Sequence, residues 1–404
     1  MSRPHLELAD VFKALDSDSS KTNLLSLNSQ QRRALRDIIQ CRTAALGGHV
    51  EQCTQCSHEQ IAYNSCRNRH CPKCQAAARK EWTQKRAAEL LPVEYFHVVF
   101  TLPDQLSLLA LQNKRVIYGL LFQAASETLL KIAGDPKHLG AVIGFLAVLH
   151  TWGQTLQHHP HLHCVVPGGG LSPDHSRWIS CRKGFFLPVK VLSRLFRGKF
   201  VAYLKAASEQ GRLVFHGQSK HLAEGDHFAS LLNEVSKLEW VVYAKRPFGG
   251  PVQMLKYLAR YTHRVAISNH RLVSLSEGEV TFRWKDYADD NAAKEMTLDV
   301  REFTRRFLLH ILPRGFVRIR HYGLLANRCR TERLECCRRL LAHSTNPAAI
   351  LGAASMISDQ CSTDPESEIC PVCREGRMTI LKKLAPQGID LFRFILLTGT
   401  ADTS

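Results

Sequence analysis

Two histidines at alternate positions form a pattern that could carry metal chemistry. His161 and His163 flank Leu162 in a segment with strand-like alternation. Successive side chains of a strand point to opposite faces, so both imidazoles are expected on one face, roughly 7 Å apart. Leu162, Cys164 and Val166 would then share the other face. Because neutral imidazole is a common metal ligand, the spacing predicts a metal site over an apolar core, although structural histidines can show the same pattern.

Two Cys-x-x-Cys pairs near the N-terminus form a second pattern. Cys53/Cys56 and Cys71/Cys74 are separated by fourteen residues, close to the usual spacing of a structural zinc site. The spacing predicts one zinc ion bound by all four thiolates. Neighbouring residues could support that site or build a second one: Cys41, His49, His58, Cys66 and His70.

A third Cys-x-x-Cys pair, Cys370/Cys373, lies near the C-terminus. It is half of a zinc site, and its partners are not evident from the sequence. The sequence leaves open whether Cys370 and Cys373 bind metal.

A predicted helix at residues 252–264 carries two tyrosines. Pro251 suits its first turn, and Tyr257 and Tyr261 lie one turn apart. Their face also carries Arg264 and, at its edge, Arg260. Tyrosines on an arginine-bearing face are candidate nucleophiles, although a pair of surface-packing tyrosines fits the same pattern.

These residues together suit reversible cleavage of a DNA strand. A tyrosine hydroxyl can store the phosphodiester bond energy as a phosphotyrosine, but its reference pKa near 10 means that it needs help to attack. A divalent ion, Mg²⁺ or Mn²⁺, held by His161, His163 and a third ligand would stabilise charge on the phosphate. Gln253, one turn before Tyr257, is the preferred third ligand, and Gln154 and Gln157 are alternatives.

Interleaved strands and helices must position these groups. Residues 95–103, 141–150 and 158–167 are predicted strands, and residues 105–133 and 187–209 are predicted helices. Residues 271–285 resemble a hairpin. Upstream, Asn28 and Gln31 form a possible capping box at the start of a helix. With adjacent strands antiparallel, the order predicts an α+β fold.

Composition indicates an acidic partner. The chain has 404 residues, a formal net charge of +18 and 14 cysteines. This charge favours nucleic acid, and the cysteine clusters favour a reducing compartment with metal sites. We find no signal peptide, no apolar run long enough to span a membrane and no P-loop signature. Candidate DNA contacts lie between the cysteine pairs and in the basic stretch 301–339: Arg67, Arg69, Arg318 and Arg320.

The ordered motifs resemble the transposases of the insertion sequence ninety-one family, two-tyrosine members of the His-hydrophobic-His (HUH) endonuclease superfamily. The resemblance covers roughly residues 25–340. The motifs that carry it lie at residues 53–56, 63–74, 161–163, 257–264 and 320–327.

The resemblance implies an antiparallel-sheet nuclease domain flanked by helices and preceded by a helical, zinc-binding module. It implies a metal-dependent nick in single-stranded DNA, with Tyr257 and Tyr261 as nucleophiles and His161 and His163 as metal ligands. A 5′-phosphotyrosine and rolling-circle-type transposition would follow, with host helicase and replication proteins as partners. We expect a cytoplasmic, nucleoid-associated protein with domains at residues 1–90, 91–325 and 326–404.

Three other functions are compatible with parts of the pattern. A plasmid relaxase or replication initiator would use the same chemistry. A zinc-dependent DNA-binding regulator would keep the cysteines and the basic stretches without cleaving DNA. A zinc hydrolase could use the two histidines, but the chain lacks an evident carboxylate set at motif spacing.

Overall fold

The computed structural model describes residues 6–15, 27–87, 89–245, 266–344 and 369–387. Helices in this part of the chain are α1 (Leu8–Ala14), α2 (Ser29–Gln40), α3 (Pro72–Ala87), α4 (Ser107–Gln112), α5 (Lys114–Gly134), α6 (Val189–Glu209), α7 (Gly225–Lys237), α8 (Val300–Leu309) and α9 (Arg330–Ser344). Strands are β1 (Gly48–Cys53), β2 (Glu59–Tyr63), β3 (Tyr95–Thr101), β4 (Gly144–Trp152), β5 (His158–Pro167), β6 (Gly169–Leu171), β7 (Trp178–Ser180), β8 (Val242–Lys245), β9 (Leu272–Ser276), β10 (Glu279–Asp286), β11 (Ala292–Asp299), β12 (Ile319–Gly323) and β13 (Met378–Leu384).

The chain divides into two compact units, each built from separate stretches of sequence. Unit 1 comprises residues 1–78, 265–311 and 362–404, and unit 2 comprises residues 79–264 and 312–361. This division differs from the three consecutive domains expected from the sequence. Two contacts contribute to the difference: β13, near the C-terminus, pairs with β1 in the N-terminal module, and Phe307 packs on Phe12.

Unit 1 contains two small antiparallel sheets, ordered β13-β1-β2 and β11-β10-β9. The predicted capping box is confirmed: Asn28 Oδ1 accepts hydrogen bonds from the Gln30 and Gln31 amides, and Gln31 Oε1 accepts one from the Asn28 amide. Phe12 of α1 packs edge-to-face on Phe307 of α8, with 5.2 Å between ring centroids. The expected hairpin at residues 271–285 is confirmed as β9 and β10.

Unit 2 is built on a five-stranded sheet in the order β12-β4-β5-β3-β8. Every neighbouring pair in it is antiparallel, which confirms the predicted α+β class. One face packs on α5 and α6 to form the main core. The other face carries a smaller apolar cluster around Tyr95, Val148 and Val165, and it also carries the histidines described below.

Helix α5 is a core helix of unit 2. By length and composition its 21 residues could cross a membrane, whereas the sequence analysis predicts no apolar run long enough to do so. However, buried residues predominate along it, among them Tyr118, Leu121 and Phe122, which pack in the main core. Its apolar composition is therefore explained by its burial in the fold.

Candidate metal centres and nuclease site

Strand β5 has the two faces that its sequence predicts. Leu162, Cys164 and Val166 are fully buried in the main core. His161 and His163 lie on the opposite face, where His163 is paired across the sheet with Val99 of β3 and Val148 of β4. The sheet therefore presents both imidazoles away from the helices that cover its other side.

A third histidine joins this pair from the neighbouring strand. His150 of β4 lies directly opposite His161 in the antiparallel ladder, so the two side chains share a face. One ligand nitrogen from each of His150, His161 and His163 lies within 4.8 Å of the others. His150 and His163 are buried, at 2% and 6% exposure. We call these three residues the histidine triad.

Sequence reasoning missed His150 as a candidate ligand. It occurs at the end of an apolar run, and a lone histidine in such a run resembles a core residue. Only the register of β4 against β5 identifies its neighbours, and that register cannot be read from a single sequence.

Hydrogen bonds orient two rings of the triad. His161 Nδ1 lies 2.7 Å from the carbonyl oxygen of His159, which accepts the Nδ1 proton and leaves the Nε2 lone pair available. His163 Nδ1 lies 2.7 Å from Nε2 of His97 on β3. Donation from His163 Nδ1–H to His97 likewise makes His163 Nε2 the ligand atom.

The ring of His97 is well suited to accept that proton. Burial and, secondarily, the positive charge of Lys245 lower the pKa of His97 to about 4. The ring is therefore neutral at neutral pH, and a neutral imidazole has one nitrogen that accepts. His97 is a positioning residue for His163 that sequence reasoning also missed.

The triad is chemically suited to a divalent ion with open coordination positions. Neutral imidazoles are good donors, and three of them leave room for water and phosphate oxygens. Among the residues that the structure describes, no carboxylate joins the cluster.

The predicted nucleophile helix lies outside the described residues. The roles predicted for Tyr257, Tyr261, Arg260, Arg264 and Gln253 therefore stay predictions. Of the alternative third ligands, Gln157 is exposed and Gln154 is half-buried in the turn between β4 and β5.

Eight of the 14 cysteines form two tetrads, and the two N-terminal pairs do not share one site. Tetrad 1 joins Cys71 and Cys74 with Cys41 and Cys66, whereas tetrad 2 joins Cys53 and Cys56 with Cys370 and Cys373. This corrects the expected zinc site of Cys53, Cys56, Cys71 and Cys74. The physical reason is the pairing of β1 with β13, which brings the C-terminal pair to Cys53.

The geometry of tetrad 1 fits a tetrahedral zinc ion. Cys74 Sγ lies 3.6 Å from Cys41 Sγ and 3.5 Å from Cys66 Sγ. A tetrahedron with Zn–S bonds of about 2.3 Å has edges of about 3.8 Å. Backbone amides of Cys66 and Asn68 point at the sulfurs of Cys41 and Cys66, which favours thiolates.

The four predicted DNA-binding arginines have different environments. Arg67 is exposed between the cysteine pairs, and Arg69 is partly buried, which lowers the pKa of its guanidinium. Arg318 is buried. The Arg320 guanidinium lies 4.0 Å from the ring centroid of Phe122 in α5, so it packs on a core aromatic. Their DNA contacts stay predictions.

Comparison with known proteins gives the family. Residues 144–333 match the family model described as "Putative transposase", and residues 11–102 match "Transposase zinc-binding domain". The chain is 53% identical over 384 residues to "Putative transposase y4qJ" of Sinorhizobium fredii, which covers 95% of this chain and 96% of that relative. The chain belongs to the insertion sequence ninety-one family of transposases.

A second relative supports the assignment. The chain is 27% identical over 371 residues to "Transposase for insertion sequence element IS801" of Pseudomonas savastanoi pv. phaseolicola, covering 88% of this chain and 85% of that protein. No solved structure matches the chain. The family resemblance inferred from the sequence motifs is confirmed.

The candidate sites of this transposase lie in different matched regions. The histidine triad lies within the "Putative transposase" region, and all of tetrad 1 lies within the zinc-binding region. Tetrad 2 is different, because Cys370 and Cys373 lie outside both matched regions.

Proposed function

We propose that this transposase nicks single-stranded DNA through a 5′-phosphotyrosine and rejoins strands in rolling-circle-type transposition. The observation that carries the proposal is the convergence of His150, His161 and His163 on one face of the five-stranded sheet. Three imidazoles, two of them with lone pairs oriented by hydrogen bonds, form a site suited to a divalent cation. In a transposase, the phosphate of the scissile DNA strand is a natural further ligand of that cation.

The triad would hold Mg²⁺ or Mn²⁺, which supplies positive charge beside the scissile phosphate. The His159 carbonyl and the His97 ring fix the orientation of the His161 and His163 rings, so little reorganisation would be needed when a cation and DNA bind. In this proposal the third protein ligand is His150 and not Gln253, which the sequence analysis preferred.

The nucleophiles in this proposal are Tyr257 and Tyr261, on the strength of the family motif. A tyrosine hydroxyl gives up its proton and its oxygen attacks phosphorus. The bond from phosphorus to the 3′ oxygen breaks, and the 3′ oxygen takes up a proton and leaves as a hydroxyl, so one proton is released and one is consumed. The 5′ phosphate stays on the tyrosine. Attack by a 3′ hydroxyl on this phosphotyrosine reverses the step, and a second tyrosine allows another strand to be cleaved meanwhile. Arg260 and Arg264 would add positive charge.

The zinc-binding module would also bind the DNA substrate. Zinc at tetrad 1 would be structural, since four thiolates leave no open position. It would hold the basic loop that carries Arg67 and Arg69 in a shape suited to phosphate contacts. Single-stranded DNA at the element ends is the proposed substrate. Host helicase and replication proteins would supply unwinding and synthesis at the nucleoid in the cytoplasm.

The test is a covalent-adduct assay on labelled single-stranded DNA from candidate element ends. With Mn²⁺ or Mg²⁺, we expect an SDS-resistant protein–DNA band that is lost with EDTA and in the Tyr257→Phe/Tyr261→Phe double variant. An exposed-residue variant, Tyr287→Phe, is the matched control and should form the adduct normally. Good binding to several ends on both strands without any adduct would overturn the proposal and favour a DNA-binding regulator.

A relaxase or replication initiator would give the same adduct. The match to a transposase relative over 95% of the chain favours transposition. Sequencing the DNA that flanks the gene would separate these functions, since a transposase requires element ends.

A further inference from the structure

Tetrad 2 has the sulfur spacing of a metal site. Cys53 Sγ lies 3.6 Å from Cys373 Sγ, and Cys56 Sγ lies 3.6 Å from Cys370 Sγ. All four sulfurs lie within 4.8 Å of one another. These separations are close to the edges of about 3.8 Å in a zinc tetrathiolate, and they far exceed the roughly 2.05 Å of a disulfide bond.

Backbone pairing also joins the two stretches of chain that carry the cysteine pairs. Strand β13 pairs antiparallel with β1, with Cys53 opposite Met378. The Thr54 amide donates to the Arg377 carbonyl at 3.0 Å, and the Arg377 amide donates to Thr54 Oγ1 at 3.0 Å. Tetrad 2 is therefore positioned by a sheet and does not depend on a chance approach of thiols.

Each half of tetrad 2 has the local turn of a zinc knuckle. The Gln55 and Cys56 amides approach Cys53 Sγ at 3.3 and 3.5 Å, and the Gly376 amide approaches Cys373 Sγ at 3.3 Å. Amide hydrogen bonds of this kind stabilise thiolate, the ligand form of cysteine. A Cβ at position 376 would overlap Cys53 Sγ, so glycine permits the close packing of the two halves.

We propose that tetrad 2 is a second structural zinc site, assembled from both ends of the chain. It binds one zinc ion through Cys53, Cys56, Cys370 and Cys373, and it fastens the C-terminal strand β13 to the N-terminal module. Because the pairs lie more than three hundred residues apart, as in the 314-residue separation of Cys56 and Cys370, the ion closes a very long loop. Four thiolates leave no open position, so the ion's role is in folding and not in strand cleavage.

The test is the metal content of the full-length chain, purified under reducing conditions and dialysed against a mild chelator. We expect two zinc ions per chain, counted by elemental analysis and by native mass spectrometry, because an open three-imidazole site loses its ion more readily than a tetrathiolate. The Cys370→Ser/Cys373→Ser variant should hold one zinc ion. The matched control Cys181→Ser/Cys336→Ser changes two unit 2 cysteines outside the tetrads and should hold two.

Two outcomes would overturn the proposal: one zinc ion in the wild-type chain, or two in Cys370→Ser/Cys373→Ser. Iron in place of zinc, recognised by visible absorbance, would also overturn it. If the double variant fails to fold, Co²⁺ loaded into the wild-type chain provides a second test. Two Co²⁺ ions with the strong absorbance of tetrahedral thiolate sites support the proposal, and one contradicts it. These measurements do not use DNA cleavage, so they stand apart from the test of the proposed function.

Discussion

His97 lies directly behind His163, with 2.7 Å between His97 Nε2 and His163 Nδ1, and their rings are parallel within 1°. The first prediction concerns this contact. His97→Ala should weaken the metal affinity of the histidine triad by roughly 10–100-fold, because His163 loses the acceptor that sets its tautomer. His97→Gln should retain much of the affinity, since a side-chain amide oxygen can accept the same proton.

The measurement for His97 is the Mn²⁺ concentration that gives half-maximal adduct formation. A positioning role predicts that high Mn²⁺ restores the adduct in His97→Ala, whereas a misfolded variant would not recover. His138→Ala, at an exposed residue, is the control. An unchanged Mn²⁺ requirement in His97→Ala would rule out this role.

The second prediction identifies the third ligand. His150→Ala should reduce adduct formation by more than the roughly 10–100-fold expected for a residue that supports a ligand without binding the ion, because one of the ion's own ligands is removed. Gln253→Ala should change the Mn²⁺ requirement by less than about 10-fold. Parallel Mn²⁺ titrations measure both. The reverse ranking would return Gln253 to the site and leave His150 as a buried structural histidine.

The third prediction separates packing arginines from DNA-binding ones. Arg320→Ala should lower the free energy of unfolding by about 0.5–2 kcal/mol, because its guanidinium lies over the Phe122 ring. Arg67→Asn should leave stability unchanged, since Arg67 is exposed and Asn tolerates its φ of 53°. It should instead weaken single-stranded DNA binding and reduce the salt slope by about 1. Denaturant unfolding measures the stability of both variants, and salt-dependent binding measures their affinity for single-stranded DNA. The prediction would be contradicted if Arg320→Ala weakened DNA binding as much as Arg67→Asn does and left stability unchanged.

The fourth prediction concerns Gly323, where β12 ends against the start of β4. Its φ is 61°, and a Cβ there would overlap the carbonyl oxygen of Ile143. Gly323→Ala should therefore destabilise the protein by at least about 1–3 kcal/mol. Gly119→Ala in α5 is the matched control, because a Cβ there meets nothing within 4 Å and helix interiors favour alanine. In thermal melts, Gly323→Ala should have a lower melting temperature than Gly119→Ala, and equal melting temperatures of the two variants would contradict the prediction.

The fifth prediction is a pH dependence of stability. Burial, with smaller contributions from Arg330 and Arg86, lowers the pKa of His321 from 6.5 to about 4. Between these pH values the unfolded chain binds a proton that the folded chain does not, so the free energy of unfolding falls as the pH is lowered. His321→Gln should flatten this fall between about pH 6.5 and 4 relative to wild type. Denaturant titrations at several pH values measure it, with the exposed His138→Gln as control, and parallel curves for wild type and His321→Gln would contradict it.

Local patterns in the sequence were sufficient for the main elements and for two of the three residues of the histidine triad. Alternation along β5 separates Leu162 and Cys164 from His161 and His163, because successive strand residues point to opposite faces whatever the strand pairs with. The capping box of Asn28 and Gln31 is equally local, since its partners are three residues apart. The motifs were also sufficient to recognise the family.

Tertiary structure decided which distant residues meet. His150 joins His161 only through the register of β4 against β5, and spacing within either strand does not contain that register. The regular spacing of Cys53/Cys56 and Cys71/Cys74 predicted a single site, yet β13 brings Cys370 and Cys373 to the first pair, and Cys41 and Cys66 complete the second. A Cys-x-x-Cys turn determines how two sulfurs lie relative to each other. Which other pair completes the tetrahedron depends on long-range strand pairing, and that depends on the whole fold.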